Sequence, residues 1–115
     1  MSDRYQDALR RLSHVAGVQG ALVVEADAGV PVASELAGGI DGGAVAALVA
    51  SLYRRAQQAA TAGGFDTLDA LQLDAAEGHV LVASAGAVLV IAVAAAEAQL
   101  GLVRVETQRA AESLR

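Results

Sequence analysis

A chain of 115 residues with a formal net charge of −5 and no cysteine reads as one domain, residues 1–115, with a single hydrophobic core. The acidic balance argues against nucleic acid, whose binding rests on neutralising phosphates with Lys and Arg, and against an anionic membrane surface. Without cysteine there are no disulfides and no thiol chemistry, and all eight basic residues are arginine, which removes P-loop lysines, Schiff bases and Ser–Lys dyads.

The N-terminal stretch reads as a helix. Asp3 is placed to cap it, and Tyr5, Ala8, Leu9, Leu12 and Val15 recur at helical spacing. Arg4, Asp7, Arg10 and Arg11 fall elsewhere on its surface, and Gly17 is placed to end it. Gly20–Ala26 and Val30–Glu35 read as a hairpin around the turn Asp27-Ala28-Gly29. Pro31 cannot donate to a ladder, so the second strand belongs at a sheet edge or starts at the proline.

Asp41 is a good N-cap for a long helix from Gly42 to about Ala62, closed by Gly63-Gly64. Val45, Leu48, Val49, Leu52, Ala56 and Ala59 form one apolar stripe, expected to pack on the sheet. Ala46, Ala50, Tyr53 and Gln57 form a second face of small residues, with Arg54 and Arg55 beside it. Thr67–Ala76 alternates, with Leu71, Leu73 and Ala75 on one side and Gln72 and Asp74 on the other, which predicts a half-exposed antiparallel strand.

Val80–Ala96 carries no charge. It is shorter than the ~20 apolar residues of a membrane span and lacks a basic flank to orient one. Ser84-Ala85-Gly86 interrupts it, so it reads as two strands, His79–Ser84 and Ala87–Ala94, the second buried on both faces. Leu100, Val103, Thr107, Ala110 and Leu114 then predict a closing helix from about Ala98 to Arg115, with Arg104, Glu106, Arg109 and Glu112 toward water. The order α-β-β-α-β-β-β-α predicts an α+β domain: a five-stranded, mostly antiparallel sheet covered by helices.

No constellation carries chemistry. His14 and His79 stand apart, and no His/Cys/Asp/Glu group has metal-ligand spacing. Ser84 is not in a nucleophile elbow, and the Gly-Gly pairs lack a phosphate-binding frame. We therefore expect no enzyme, no cofactor and no metal, with the cytoplasm as the default location. An Ala/Val-filled core argues against a small-molecule sensor. Surfaces remain. Tyr is a frequent interface anchor, which singles out the Ala46–Ala50–Tyr53–Gln57 face. The Leu68–Ala76 strand, if outer, invites pairing with another chain. Arg54-Arg55 reads as a solvated pair rather than an arginine finger.

The pattern resembles the roadblock/dynein-light-chain family, in particular the small bacterial members that regulate Ras-like GTPases. Val18–Ser34 (VQGALVVEADAGVPVAS), Ala47–Ser51 (ALVAS) and Gly86–Arg104 carry the match. The resemblance implies a homodimer with its sheet continued across a two-fold along Leu71, Gln72, Leu73 and Asp74. It implies paired long helices on which a Ras-like small GTPase docks, with Ala46, Ala50, Tyr53, Arg54 and Gln57 as contact positions. Tyr53, Arg54 and Arg55 depart from the small residues that relatives often keep there. The alternative within the family is an adaptor of dynein-light-chain type that holds a partner without changing GTP turnover.

Overall fold

The computed structural model describes residues 2–115, with side chains from Arg4 onward. Its elements are α1 (Ser2–Ser13), β1 (Val18–Glu25), β2 (Val30–Leu36), α2 (Gly42–Ala62), β3 (Ala70–Ala75), β4 (Gly78–Ala85), β5 (Val88–Ala95) and α3 (Leu100–Ser113). The expected element order holds throughout. The strands form one antiparallel sheet in the order β2-β1-β5-β4-β3.

β5 lies at the centre, and seven of its eight residues are buried. A strand covered on both faces has no water-facing side, so its sequence loses the polar alternation and reads as a continuous apolar run. Val88, Val90, Ala92 and Ala94 face one layer, while Leu89 and Ile91 face the other. The first layer holds α1 and α3, whose Leu9, Leu12, Val103 and Ala110, with Leu114 just past the end of α3, pack on Ala21, Val23, Leu81 and Ala83. Small side chains on this side of the sheet let two helices settle close to the strands.

The second layer holds α2 alone. Asp41 caps it as expected, its Oδ1 accepting the Ala44 N–H at 3.0 Å, a bond that removes one orphan donor of the first turn. α2 rests mainly on β1 and β2, so one helix faces five strands. Toward β4 and β3, Leu71 and Val80 are only half-buried and Leu73 is exposed.

Two glycines mark close approaches. Gly29, at φ +68° in the β1–β2 turn, lies against α2, where an added Cβ would sit 3.2 Å from the Ala47 Cα. Gly78 opens β4 so near β5 that a Cβ would meet the Ala94 carbonyl oxygen at 2.6 Å.

Boundaries differ from expectation at several ends. α1 begins at Ser2, which puts Asp3 inside the helix; the Asp3 side chain lies outside the described residues. α1 stops at Ser13, and Gly17 (φ +90°) serves the turn into β1. α3 starts at Leu100 because Ala96–Gln99 turn the chain out of β5. β3 starts at Ala70 rather than Thr67, since the backbone at Leu68 is bound to α2 side chains.

Candidate functional site

The α2 side of the sheet carries the first of the surfaces singled out from the sequence, and the geometry exchanges the roles of several residues on the helix. Ala46 and Ala50 have no exposed surface and Tyr53 is 7% exposed. With Val49 they are the residues that press on Leu22, Val24, Val82, Leu89 and Ile91. The expected sheet-facing stripe is split: Val49 is buried and Val45 packs partly against the same cluster, while Leu48 is 70% and Leu52 37% exposed on the outer flank. The reason is steric and polar together. Alanines at 46 and 50 let the helix backbone approach the sheet and the Gly29 turn, which a leucine ridge would hold away. Tyr53 fills the remaining space and donates its hydroxyl to the Leu68 carbonyl.

Arg54 and Gln57 also do something other than expected. Arg54 Nη1 donates to the carbonyls of Ala26 and Asp27 at 2.9 and 3.1 Å, tying α2 to the β1–β2 turn. Gln57 Nε2 donates to the Asp66 carbonyl at 3.0 Å, and its Oε1 accepts the Leu68 N–H at 2.8 Å. Together with Tyr53 it fastens the α2–β3 connection to the helix. Burial pushes the Tyr53 phenol above its ordinary pKa. Three of the five proposed contact positions are thus packed inward, and the other two hold backbone carbonyls and amides.

The second surface is where the sequence placed it. β3 is an edge strand, paired with β4 on one side only, and it carries Leu71, Gln72, Leu73 and Asp74. Leu71 and Leu73 sit on the α2 side, opposite Val82 and Val80. Gln72 and Asp74 sit on the α3 side in a polar chain. Arg104 donates to Gln72 Oε1 at 3.0 Å, Gln72 Nε2 donates to Asp74 Oδ1 at 2.9 Å, and His79 Nδ1 lies 2.7 Å from the same oxygen. The hydrogen bonds from Gln72 and His79 hold the Asp74 carboxyl below the usual carboxylate range. This chain was not legible in the sequence; the five-residue separation of Asp74 and His79 across a turn was its only trace.

The two sheet edges differ. β2 carries Pro31, and a register shift between Val23 and Val24 interrupts its ladder with β1. Both are devices that blunt an edge against strand addition. β3 has no proline, and its ladder with β4 is regular over six pairs. On the α2 side of the sheet the helix flank Leu48–Leu52, the half-buried Val45, Leu71 and Val80, and the exposed Leu73 beside the open β3 edge are thus left partly or wholly uncovered. Among the described residues no three His, Cys, Asp or Glu side chains come together as a metal site, and no helix is long and apolar enough to cross a membrane.

Comparison with known proteins agrees with this architecture. A family model described as the Roadblock/LC7 domain matches residues 4–95. An uncharacterised protein of Methanocaldococcus jannaschii is 31% identical over 107 residues, 93% of each chain. Myxococcus xanthus MglB superposes with a TM-score of 0.89 at 20% identity, covering 98% of this chain and 86% of that one. The gliding protein MglB of Thermus thermophilus gives 0.87 at 24% identity, covering 98% and 87%.

Proposed function

Because the chain belongs to the Roadblock/LC7 family, we propose that it is a non-catalytic, dimeric regulator that binds a Ras-like small GTPase and modulates its GTP hydrolysis or localisation. The observation that carries this reading is the exposed apolar flank of α2, with Leu48 at 70% exposure, beside the part of the sheet that α2 leaves uncovered. Large apolar side chains grouped in this way mark interaction surfaces.

A second copy related by a two-fold satisfies both halves of that surface. Pairing β3 with β3 continues the sheet, and the partner's long helix then lies alongside this one over Leu71, Leu73 and Val80. The flank residues Val45, Leu48, Leu52 and Ala56 supply the helix–helix contact. The GTPase docks on the outer side of the paired helices, where Ser51 and Arg55 flank the apolar ridge. This moves the footprint outward from Ala46, Ala50 and Tyr53, which serve to hold the helix on the sheet. Regulation of this kind works by reshaping the GTPase, and it asks no general acid, base or arginine finger of this chain.

The test is GTP turnover by a Ras-like GTPase from the same organism, measured with and without this protein, together with binding in both nucleotide states. The reading expects binding, with turnover or localisation altered. Arg55→Glu should weaken binding while leaving the dimer and its unfolding temperature unchanged. Absence of binding in either nucleotide state refutes the GTPase partner. Binding without any effect on turnover or localisation moves the protein to the adaptor role.

A further inference from the structure

Phe65, the chain's single phenylalanine, has no role in the core. It is 75% exposed, more than any other large apolar side chain among the described residues. Its backbone is nevertheless held in place. The Phe65 N–H donates to the Ala60 carbonyl at 2.9 Å, directly after Gly63 and Gly64 have closed α2 on the carbonyls of Ala59 and Thr61. The ring rests on Gly63, where an added Cβ would lie 3.4 Å from Cδ2. On the other side Gln57 holds the Asp66 carbonyl and the Leu68 N–H, and Tyr53 holds the Leu68 carbonyl. An aromatic ring on a segment ordered in advance has less freedom to lose on binding.

Phe65 stands on the approach to β3, and the far end of the same strand has the matching vacancy. There Leu73 and Ala75 are exposed and Val80 beside them is half-buried, because α2 rests mainly on β1 and β2. The backbone of β3 restricts how a like strand can meet it. The Asp69 carbonyl accepts the Ser84 N–H at 3.1 Å. Antiparallel ladders alternate, so the backbone groups of Leu71, Leu73 and Ala75 also turn toward β4. Those of Ala70, Gln72 and Asp74 face outward. A second antiparallel β3 uses all three when Gln72 lies on the two-fold, opposite the partner's Gln72, with Ala70 opposite the partner's Asp74. In that register the approach to β3 in each copy runs past the far end of β3 in the other.

We propose that Phe65 of each copy seats on the end of the other copy's β3–β4 hairpin, against Ala75 and Leu73, and is the aromatic anchor of the dimer. The inference rests on the two-fold dimer described under the proposed function and adds the residue that secures it. The seat suits a ring: apart from Glu77, the hairpin end from Ala75 to Gly78 carries no side chain larger than a methyl group. A ring laid there removes its own apolar surface and that of Leu73 from water together. One anchor at each end of the seam also fixes its register, since a slip of the paired strands unseats both.

The chain has neither tryptophan nor cysteine, so single probes can be placed in it. Phe65→Ala should raise the dimer Kd in sedimentation equilibrium at least about tenfold, with the Tm of the dissociated chain unchanged. Phe65→Trp should keep the dimer, and its emission should move to the blue as concentration rises through Kd. A mixture of Phe65→Cys and Ala75→Cys proteins, treated with a short thiol-specific cross-linker, should give linked pairs of chains, whereas Phe65→Cys alone should not. If the parent chain dimerises but Phe65→Ala leaves Kd within about twofold, the anchor is overturned and the dimer stands. Phe65→Cys chains that link to one another and not to Ala75→Cys chains overturn it in the same way. A parent chain that stays monomeric at micromolar concentration overturns the dimer, and the anchor with it.

Discussion

Replacing Leu48 with alanine separates a docking ridge from a core residue. In the single chain Leu48 is 70% exposed, so truncation removes little that the fold uses. Exposed substitutions away from special features stay within about 0.5 kcal/mol, and alanine is at least as good a helix former. In the proposed two-fold dimer the same side chain is covered by its counterpart. Full burial of a leucine is worth about 1.5–3 kcal/mol, so the exposed portion leaves roughly 1–2 kcal/mol for each copy. Two copies lose about 3 kcal/mol, which weakens the dimer Kd by roughly 100-fold. Sedimentation equilibrium over a wide concentration range measures Kd, and thermal unfolding of the dissociated chain measures protomer stability. A Kd within twofold of the parent, or a protomer Tm that falls with the dimer, refutes the assignment of this flank to a helix–helix contact.

The remaining expectations concern how the surface is held. Tyr53→Phe deletes the hydroxyl bond to the Leu68 carbonyl and should cost about 1 kcal/mol, read as a drop of about 4 °C in Tm; no change would mean the α2–β3 connection is secured by Gln57 alone. Gly78→Ala places a Cβ 2.6 Å from the Ala94 carbonyl oxygen, against backbone that cannot move aside, and should cost more than about 2 kcal/mol in urea unfolding; a neutral effect contradicts the close β4–β5 approach. Asp74 has a depressed folded-state pKa, so its contribution is present above the unfolded carboxylate value of about 3.9 and is lost as pH falls through the folded value. Asp74→Asn should therefore flatten the acid-side loss of Tm below about pH 4, and an unchanged acid limb would show that the Gln72–Asp74–His79 chain does not contribute.

Much of the fold was legible because its signals are local. The uncharged run from Val80 to Ala96 with a glycine in the middle is what a central hairpin buried on both faces must look like. Asp41 and the Gly63-Gly64 pair bracket α2 because helix ends need these residues. The orientation of α2 was not legible. Every residue from Ala44 to Ala50 is apolar, so hydrophobic periodicity marks two adjacent stripes without saying which one meets the sheet. What decides is the distance of approach, set by alanines against the Gly29 turn, and a hydroxyl bond from Tyr53 to a carbonyl fifteen residues away. Larger residues then remain outside at Leu48 and Leu52, the reverse of the usual expectation that the bulkiest stripe is the buried one. Arg54 and Gln57 read as surface residues because their partners are backbone groups, which no side-chain pattern records.

If the α2 flank and the β3 edge join two copies into a platform for a Ras-like GTPase, sedimentation velocity of this protein, alone and mixed with such a GTPase loaded with GTP or GDP, will show it. The protein alone should sediment as a dimer at micromolar concentration and, in at least one nucleotide state, as a larger complex containing two copies of this chain. A stable monomer that forms no complex in either state would refute the proposed platform.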